Sequence, residues 1–189
     1  MRSADLSAFD GKFSADDDPW GTFTRRDEAV KRAAILKALG PGPLGRVLEL
    51  ASGNGSNSRA IAPRALRLDA VEGAPQGVRL TARAIARWPR ARALQLLLPA
   101  TFPRRAYDAI VIAELLYYLT PRQMRALGSA VGAALRPGGR LVLAHHQVDY
   151  YDFEQHAQGI HDRFLEGTHR RWTLRTVRRR PRWIVVSAF

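Results

Sequence analysis

The chain of 189 residues has the length of one domain, carries a formal net charge of +13 and contains no cysteine. The missing thiols exclude disulfides, thiolate metal ligands and a cysteine nucleophile, and they fit a cytoplasmic enzyme. No run of about 18 apolar residues is present, and the polar, acidic start is unlike a secretory signal, so we expect neither a membrane span nor a membrane partner.

The charge is unevenly distributed along the chain. Residues 1–28 hold seven acids and four bases, whereas the remainder carries a net charge of +16 and is most basic between residues 170 and 182. Such a positive field attracts anions such as nucleic acid, acidic lipid or acidic sugars. The alternative is a solvated surface in a protein that uses arginine freely, and charge alone does not choose between the two.

Apolar periodicity and turn residues predict alternating helices and strands after an N-terminal segment, residues 1–23, that has no periodicity. Helices are predicted over 24–40, 57–62, 75–88, 121–135 and 153–165. Strands are predicted over 46–50, 66–72, 93–98, 107–113, 140–144, 171–177 and 183–189. Because strands alternate with helices until a closing hairpin, we expect a parallel sheet with one antiparallel edge.

The most informative segment is residues 46–58, where an apolar strand breaks into a loop of small residues. Gly53 and Gly55 follow the strand, a helix follows the loop, and the next strand ends in Glu72, 19 residues after Gly53. A tight turn, a helix N-terminus and an acid placed for a ribose together indicate a nucleotide-type site. Glu49, within the first strand, favours S-adenosylmethionine over a dinucleotide as the ligand.

Four motifs, one of which is the glycine loop just described, resemble the class I S-adenosylmethionine-dependent methyltransferases, and among them most closely the nodulation protein S family. The resemblance covers residues 16–145. The motifs are Asp18-Pro19-Trp20, Leu48-Glu49 leading to Gly53-x-Gly55, Ala113-Glu114-Leu115-Leu116-Tyr117-Tyr118-Leu119 after the fourth strand, and Leu135-Arg136-Pro137-Gly138-Gly139 before the fifth.

The resemblance implies an α/β fold with a Rossmann-like, seven-stranded sheet in the order 3-2-1-4-5-7-6, the seventh strand antiparallel and helices on both faces. It implies a single methyltransferase domain over residues 1–189, with 1–23 as an N-terminal lid or extension. It also implies that S-adenosyl-L-methionine is the cofactor and methyl donor. In the named family the acceptor is the free amine of a deacetylated chitooligosaccharide.

Ten residues are predicted to bind the cofactor. Gly53 and Gly55 would let the main chain approach it without a Cβ clash. Glu49 would orient donors around the methionine amine, and Glu72 would accept from both ribose hydroxyls. Trp20 is either a lid over the cofactor or a packing residue. The full set is Trp20, Glu49, Ala51, Gly53, Gly55, Glu72, Gly73, Leu98, Glu114 and Leu115.

Two residues depart from the family pattern. Ala51 stands where the first glycine of the loop is usual, which costs free energy only if that position needs a positive φ. Leu97 stands where an acid normally meets the adenine amine. Adenine would then depend on main-chain groups and apolar packing.

The predicted catalytic residues are His145, His146 and Tyr117. The two histidines follow the fifth strand, and a histidine can accept a proton near neutral pH. Alternation along the strand sends them to opposite sides, so at most one faces the ligand. Tyr117 is a candidate to orient the acceptor. No histidine has ligand spacing with carboxylates, so no metal site is predicted.

From these residues we predict a methyltransferase that acts on a small molecule, most plausibly on the nitrogen of an amine or amino sugar. Two alternatives stay open. A nucleic-acid (RNA) methyltransferase would use the basic surface, although the fourth strand is not followed by an Asn-Pro-Pro-Tyr type of motif. A non-catalytic cofactor-binding partner protein would fit Leu97 and the lack of a clear base. The identity of the acceptor and the oligomeric state stay open.

Overall fold

The computed structural model describes residues 3–189, with side chains from residue 6 onward, and these residues form a seven-stranded sheet. Its order is β3-β2-β1-β4-β5-β7-β6, and β7 is antiparallel to both of its neighbours. The predicted strand order and antiparallel strand are confirmed. The strands are β1 (Leu44–Leu50), β2 (Ala65–Glu72), β3 (Ala91–Gln95), β4 (Tyr107–Ala113), β5 (Leu135–His146), β6 (Leu174–Arg179) and β7 (Trp183–Ala188).

Helices cover both faces of the sheet because the central strands are apolar on both. They are α1 (Ser3–Ala15), α2 (Arg26–Leu39), α3 (Ser56–Ile61), α4 (Pro75–Ile85), α5 (Pro121–Ala134) and α6 (Ile160–Glu166), with 3₁₀ turns at Ala62–Arg64 and Leu116–Tyr118. In β1, Leu48 and Leu50 face a core that α5 and α6 complete, whereas Val47 faces a second core completed by α2, α3 and α4. This alternation with period two divides the apolar side chains between the two cores.

Local signals explain where α5 begins. The Thr120 hydroxyl accepts from the backbone N–H of Gln123, and the Gln123 side chain accepts in return from the Thr120 N–H, at 3.0 Å. Pro121 occupies the first helical position, where its missing N–H costs nothing. The predicted helix over 121–135 therefore begins at the expected residue and ends one residue early.

The N-terminal segment differs most from the prediction. Residues 1–23 were expected to lack regular structure, and that expectation is wrong because α1 spans Ser3–Ala15. Leu6, Phe9 and Phe13 recur at helical spacing, which was the missed signal. Phe13 is buried together with Ala74 and Leu80, and Phe9 packs against them. Packing against α4 and the loop before it therefore supports this helix.

Other boundaries shift by a few residues. The helix predicted over 75–88 ends at Ile85, and the one predicted over 153–165 begins only at Ile160, after Gly159 adopts a left-handed φ of 69°. β3 covers 91–95 instead of 93–98, and β6 covers 174–179 instead of 171–177. The segment 147–159 is consequently a loop, which follows the carboxyl end of β5.

The parallel strands bring four chain segments to one edge. In the register, Leu50 pairs with Val71 on one side and Ile112 on the other, and Ala113 pairs with Ala144. The residues that follow β1, β2, β4 and β5 therefore meet at the carboxyl edge, where open α/β sheets bind ligands.

Candidate functional site

A cavity of 640 Å³ opens at this carboxyl edge. Its volume is in the range of small-molecule sites, roughly 300–1,000 Å³. The loops after β1, β2, β3, β4 and β5 form its floor and walls, and α1, the turn at residues 20–25 and the start of α2 cover it. Both charged groups and aromatic rings line the cavity.

The glycine loop at 51–55 forms one wall, but its two glycines serve different purposes. Gly53 lines the cavity at φ 59°, and an added Cβ there would meet only Phe13 at 3.7 Å. Gly55, at φ 82°, faces α4, where a Cβ would lie 2.8 Å from the Thr81 Cα. This glycine permits close packing of α4, and its predicted contact with the cofactor stays a prediction. Ala51 lines the cavity at φ 54°, so the position does need the left-handed conformation.

Glu72 ties the ends of β1 and β2 together. Its Oε2 accepts from the Gly53 N–H at 2.8 Å, and its Oε1 accepts from the N–H groups of Gly73 at 2.8 Å and Ala74 at 3.0 Å. Burial raises the pKa of Glu72, and these three hydrogen bonds oppose the rise. Glu72 and Gly73 both line the cavity, and the Leu6 side chain of α1 packs over Gly73.

Glu49 lies beneath the loop and does not line the cavity. The residue is 1% exposed, and its Oε2 accepts from the Ser58 hydroxyl at 2.5 Å. Burial raises the pKa of Glu49 to about 7; the Ser58 hydrogen bond opposes the rise, and the nearby Glu72 carboxylate adds to it. The predicted role of Glu49, to orient donors around the methionine amine, stays a prediction, and its buried carboxylate is not itself part of the cavity wall.

The Asp18-Pro19-Trp20 motif holds a turn over the glycine loop. Asp18 accepts from the N–H groups of Thr22 at 2.6 Å and Phe23 at 3.0 Å, and from the Asn54 side-chain amide at 2.9 Å. Burial raises the pKa of Asp18, but these hydrogen bonds outweigh it and the pKa is lowered. Trp20 lines the cavity and packs against Phe13 of α1, with ring centroids 5.2 Å apart.

Three leucines after β3 form an apolar wall. Leu96, Leu97 and Leu98 all line the cavity, and Leu97 is 50% exposed. The Gln95 amide donates to the Gly73 carbonyl at 3.3 Å, which holds this segment to the end of β2. The wall carries no acid at Leu97, as the sequence indicated, and it offers a flat apolar surface.

The opposite end of the cavity holds a charged cluster around Glu114. Its Oε1 accepts from Lys31 Nζ at 2.6 Å, and its Oε2 lies 2.8 Å from His146 Nδ1 and accepts from the Tyr117 hydroxyl. Lys31 also contacts Glu28, at 2.9 Å. Burial alone would raise the pKa of Glu114, but Lys31 and His146 hold it far below its ordinary value. Glu114 therefore stays ionised, and His146 Nδ1 donates to it.

The cluster is built on unusual backbone. Glu114 has a φ of 53°, a conformation that costs a residue other than glycine roughly 1–3 kcal/mol. The Tyr117 ring stacks on Phe153 at a centroid distance of 3.7 Å. Burial and the Glu114 carboxylate raise the pKa of Tyr117 well above its ordinary value, so its hydroxyl stays protonated. Leu115 and Tyr117 both line the cavity.

His145 faces away from the cavity. The residue is fully buried, and its Nε2 accepts from the N–H groups of Leu115 and Leu116, both at 3.3 Å. Its Nδ1 therefore carries the proton and donates to His161 Nε2 at 3.0 Å. Burial and His161 lower the pKa of His145. This placement contradicts a catalytic role for His145, which instead holds the 3₁₀ turn that carries Tyr117.

Comparison with known proteins points to one superfamily. Residues 48–141 match the family model described as "Methyltransferase domain". Nodulation protein S of Rhizobium tropici is 30% identical over 132 residues, which are 68% of this chain and 55% of that protein. The chain thus matches about half the length of that relative.

Solved structures share the fold. The N-methyltransferase NodS of Bradyrhizobium japonicum WM9, in complex with S-adenosyl-L-homocysteine, superposes with a TM-score of 0.83 at 20% identity, over 97% of this chain and 96% of that one. A putative methyltransferase of Pseudomonas syringae superposes with a TM-score of 0.74 at 27% identity, over 87% and 99% of the two chains. This chain belongs to the class I S-adenosylmethionine-dependent methyltransferases.

The cavity of this methyltransferase fits the cofactor of its superfamily, S-adenosyl-L-methionine. The cofactor has a cationic sulfonium and an ammonium group, and two acids, Glu49 and Glu72, lie at the glycine loop. Gly53 leaves room for a close approach of the main chain, and Leu96–Leu98 offer an apolar surface to a purine. No side chain blocks the space between them, since the 640 Å³ cavity extends along it.

Several residues of the methyltransferase site were missed in the sequence. Arg25, Lys31 and Asn54 line the cavity, as does Phe13 of α1. Asn54 stands between the two glycines and Arg25 follows the Asp-Pro-Trp motif closely, so position in the chain was the available signal. Lys31 gave only the weak signal of being one of three lysines.

Two kinds of structural feature are absent from the part of the methyltransferase that the structure describes. Within residues 3–189, no helix has the length and apolar character needed to cross a membrane. In the same part of the chain, histidine and carboxylate side chains form no cluster suited to a metal ion.

Proposed function

We propose that this methyltransferase acts on the nitrogen of a small amine or amino sugar. S-adenosylmethionine supplies the methyl group when bound. The relation to nodulation protein S and the N-methyltransferase name of the structural neighbour support a nitrogen acceptor. The observation that carries the proposal is the His146–Glu114 pair in the cavity wall, at 2.8 Å.

The pair has the geometry of a general base. Glu114 accepts a hydrogen bond from the Nδ1–H group and so fixes the tautomer, which leaves the His146 Nε2 lone pair for the acceptor. Lys31 offsets the charge of the carboxylate, since its Nζ lies 2.6 Å from Oε1. An amine that is protonated has no free lone pair and must lose a proton before it can attack the methyl group, and we assign acceptance of that proton to His146 Nε2. The hydroxyl of Tyr117, held by Glu114, would orient the acceptor.

At the other end we propose that Glu72 accepts from the ribose hydroxyls while it keeps its backbone hydrogen bonds to the loop. A carboxylate has about four lone-pair sites, and three N–H groups occupy part of them. We also propose that residues 1–189 form one methyltransferase domain in which 1–23 act as a lid. Trp20 and α1 cover the cavity, which supports this role. A cytoplasmic location stays a prediction from the sequence.

The test is methyl transfer from labelled S-adenosylmethionine to a panel of amines, amino sugars and RNA. We expect turnover of an amine, and His146→Asn should lower kcat by about 10²–10⁴-fold, the usual contribution of a general base. The affinity of His146→Asn for S-adenosylhomocysteine should not change. His156→Asn is the matched control, because His156 is exposed and hydrogen-bonds to Asp149.

Two results would refute the proposal in different ways. Methylation of RNA without methylation of any amine would assign the protein to the nucleic-acid class. Turnover of an amine with an unchanged kcat in His146→Asn would support N-methylation but refute the assignment of His146 as the base.

Glu72→Ala should weaken S-adenosylhomocysteine binding by about 10-fold or more, as expected for the loss of a hydrogen bond to a charged group.

A further inference from the structure

Two of the cationic side chains in the cavity wall, both arginines, form no ion pair within the described residues. Four cationic side chains line it: Lys12, Arg25, Lys31 and Arg182. Lys31 is neutralised by two carboxylates, at 2.6 and 2.9 Å. Lys12 Nζ lies over the rings of Phe9 and Trp20, at 5.5 and 5.6 Å. Within the described residues, Arg25 and Arg182 pair with no carboxylate, so two guanidinium groups are left for ligands.

The two arginines come from different segments of the cavity wall. Arg25 belongs to the turn that Asp18 and Asn54 fasten to the glycine loop. Arg182 lies in the turn between β6 and β7, where its carbonyl accepts from the Gln147 N–H at 2.8 Å. The next residue, Trp183, pairs with His146 across the sheet. Arg182 is therefore fixed beside the end that holds the proposed base.

The cofactor has a single carboxylate, on its methionine part. Arg25, in the turn that Asp18 and Asn54 hold to the glycine loop, is available to that carboxylate. Arg182 is hydrogen-bonded to a neutral group, since its Nη2 donates to the Tyr150 hydroxyl at 2.8 Å. Tyr150 in turn contacts the His146 ring edge-on, with centroids 5.6 Å apart. One wall thus runs from Arg182 through Tyr150 to the proposed base.

We propose that the methyl acceptor carries an anionic group, a phosphate, sulfate or carboxylate, which Arg182 binds while the nitrogen lies beside His146. A guanidinium fork matches such oxyanions geometrically. This inference rests on the proposed function, since it places the acceptor at the His146 end. Arg179 and Arg180, just before Arg182, add positive charge on this side, since Arg179 donates to the Gln147 side chain at 3.0 Å and the Arg180 carbonyl accepts from it.

Two carboxylates near the mouth form no ion pair with Arg182 in the described part of the chain. Asp27 lines the cavity and accepts from the Trp183 indole N–H at 2.7 Å. Asp152 also lines it, but no contact within 4 Å joins it to Arg182 in the described chain. We expect Asp152→Asn to tighten an anionic acceptor and loosen a cationic one, which gives a second test of opposite sign.

The experiment compares matched amines that differ by one phosphate, in the complex with S-adenosylhomocysteine. Glucosamine 6-phosphate is titrated against glucosamine, and 2-aminoethyl phosphate against ethanolamine, by calorimetry. We expect each phosphate to tighten binding by about 10-fold or more in 50 mM salt, and Arg182→Gln to remove most of that preference. Tyr150→Phe should reduce it by a smaller factor. Arg178→Gln is the matched control, because Arg178 is exposed in β6 and does not line the cavity.

The outcomes separate this inference from the proposed function. Equal affinity for the two members of each pair, binding of neither phosphorylated amine, or an undiminished preference in Arg182→Gln would overturn the anionic acceptor. If S-adenosylhomocysteine binds normally in those cases, the methyltransferase assignment survives. If the wild-type protein does not bind S-adenosylhomocysteine, the proposed function itself fails.

Discussion

Replacing Glu49 by glutamine tests the cost of the buried acid beneath the glycine loop. Its carboxylate is 1% exposed and has the Ser58 hydroxyl as its one hydrogen-bond partner in the described structure. A glutamine carbonyl can still accept from that hydroxyl, so the shape and the hydrogen bond are kept while the charge is removed. The change therefore isolates the free energy of holding a negative charge at this position.

The magnitude follows from the pKa. Burial raises the pKa of Glu49 from 4.5 to about 7. Below pH 4.5 the group is protonated in both folded and unfolded chains, and no penalty exists. Between pH 4.5 and 7 the unfolded chain ionises while the folded one keeps its proton, so stability falls as the pH rises. Above pH 7 the full penalty applies, about 3 kcal/mol at ~1.4 kcal/mol per pH unit.

The assay is urea unfolding of both proteins without cofactor, at pH 5 and at pH 8. Glu49→Gln should be more stable than the wild type at pH 8 by up to about 3 kcal/mol, and the difference should shrink toward pH 5. Glu166→Gln, at the exposed end of α6, should show no such trend. Since an ionised Glu49 favours the cationic cofactor, the variant should also bind S-adenosylmethionine more weakly at pH 8. A stability difference that is absent, or that does not depend on pH, would refute the reasoning.

Two further changes test the backbone and the lid. Ala51→Gly should relieve about 1–2 kcal/mol of strain from the left-handed backbone at this residue. The greater conformational entropy of the unfolded glycine chain should cost about 0.4–1 kcal/mol of that gain. Thermal unfolding should therefore shift upward by a few degrees, and a lower Tm would contradict the strain. Asp18→Ala should release the turn that carries Trp20 and weaken S-adenosylhomocysteine binding by about 10-fold, taking ~1.5 kcal/mol for the lost charged hydrogen bonds. Asp17→Ala is the control, since within the described residues its carboxylate contacts only Arg83, at the surface. Equal calorimetric affinities of the two variants for S-adenosylhomocysteine would refute a lid role for this turn.

The fold was accessible from the sequence because its signals are local. Apolar strands, the proline and capping residues before α5, and the Gly-rich turns each specify one element, and the strand order came with the family resemblance. The helix α1 was missed because its apolar residues are few, and Phe13 acquires its meaning only when it packs on Leu80 and Ala74. Leu6, Phe9 and Phe13 do have helical spacing, but three apolar residues are a weak signal without the surface that buries them.

The residue types of the site could be predicted from the sequence, but the directions in which their side chains point could not. Gly55 has the spacing of a ligand-binding glycine, yet what decides its role is the approach of α4 to within 2.8 Å of its missing Cβ. Glu49 stands on a strand that ends at the site, yet the pleat directs its side chain to Ser58 of α3. Strand position predicts the edge at which a residue lies, whereas the side that it faces depends on which helix covers it.

The two histidines at the end of β5 show how one pattern yields two different functions. Alternation predicts that they face opposite ways, and the structure places His146 in the cavity and His145 in the core. What the pattern cannot supply is the pair of N–H groups that meets His145 Nε2, because these come from Leu115 and Leu116 on another strand's loop. That buried imidazole must stay neutral to accept them, whereas the ring of His146 lines the cavity. The same side chain thus serves as a fixed acceptor at one position and as a proposed base at the next, and the difference is the number of backbone donors within reach.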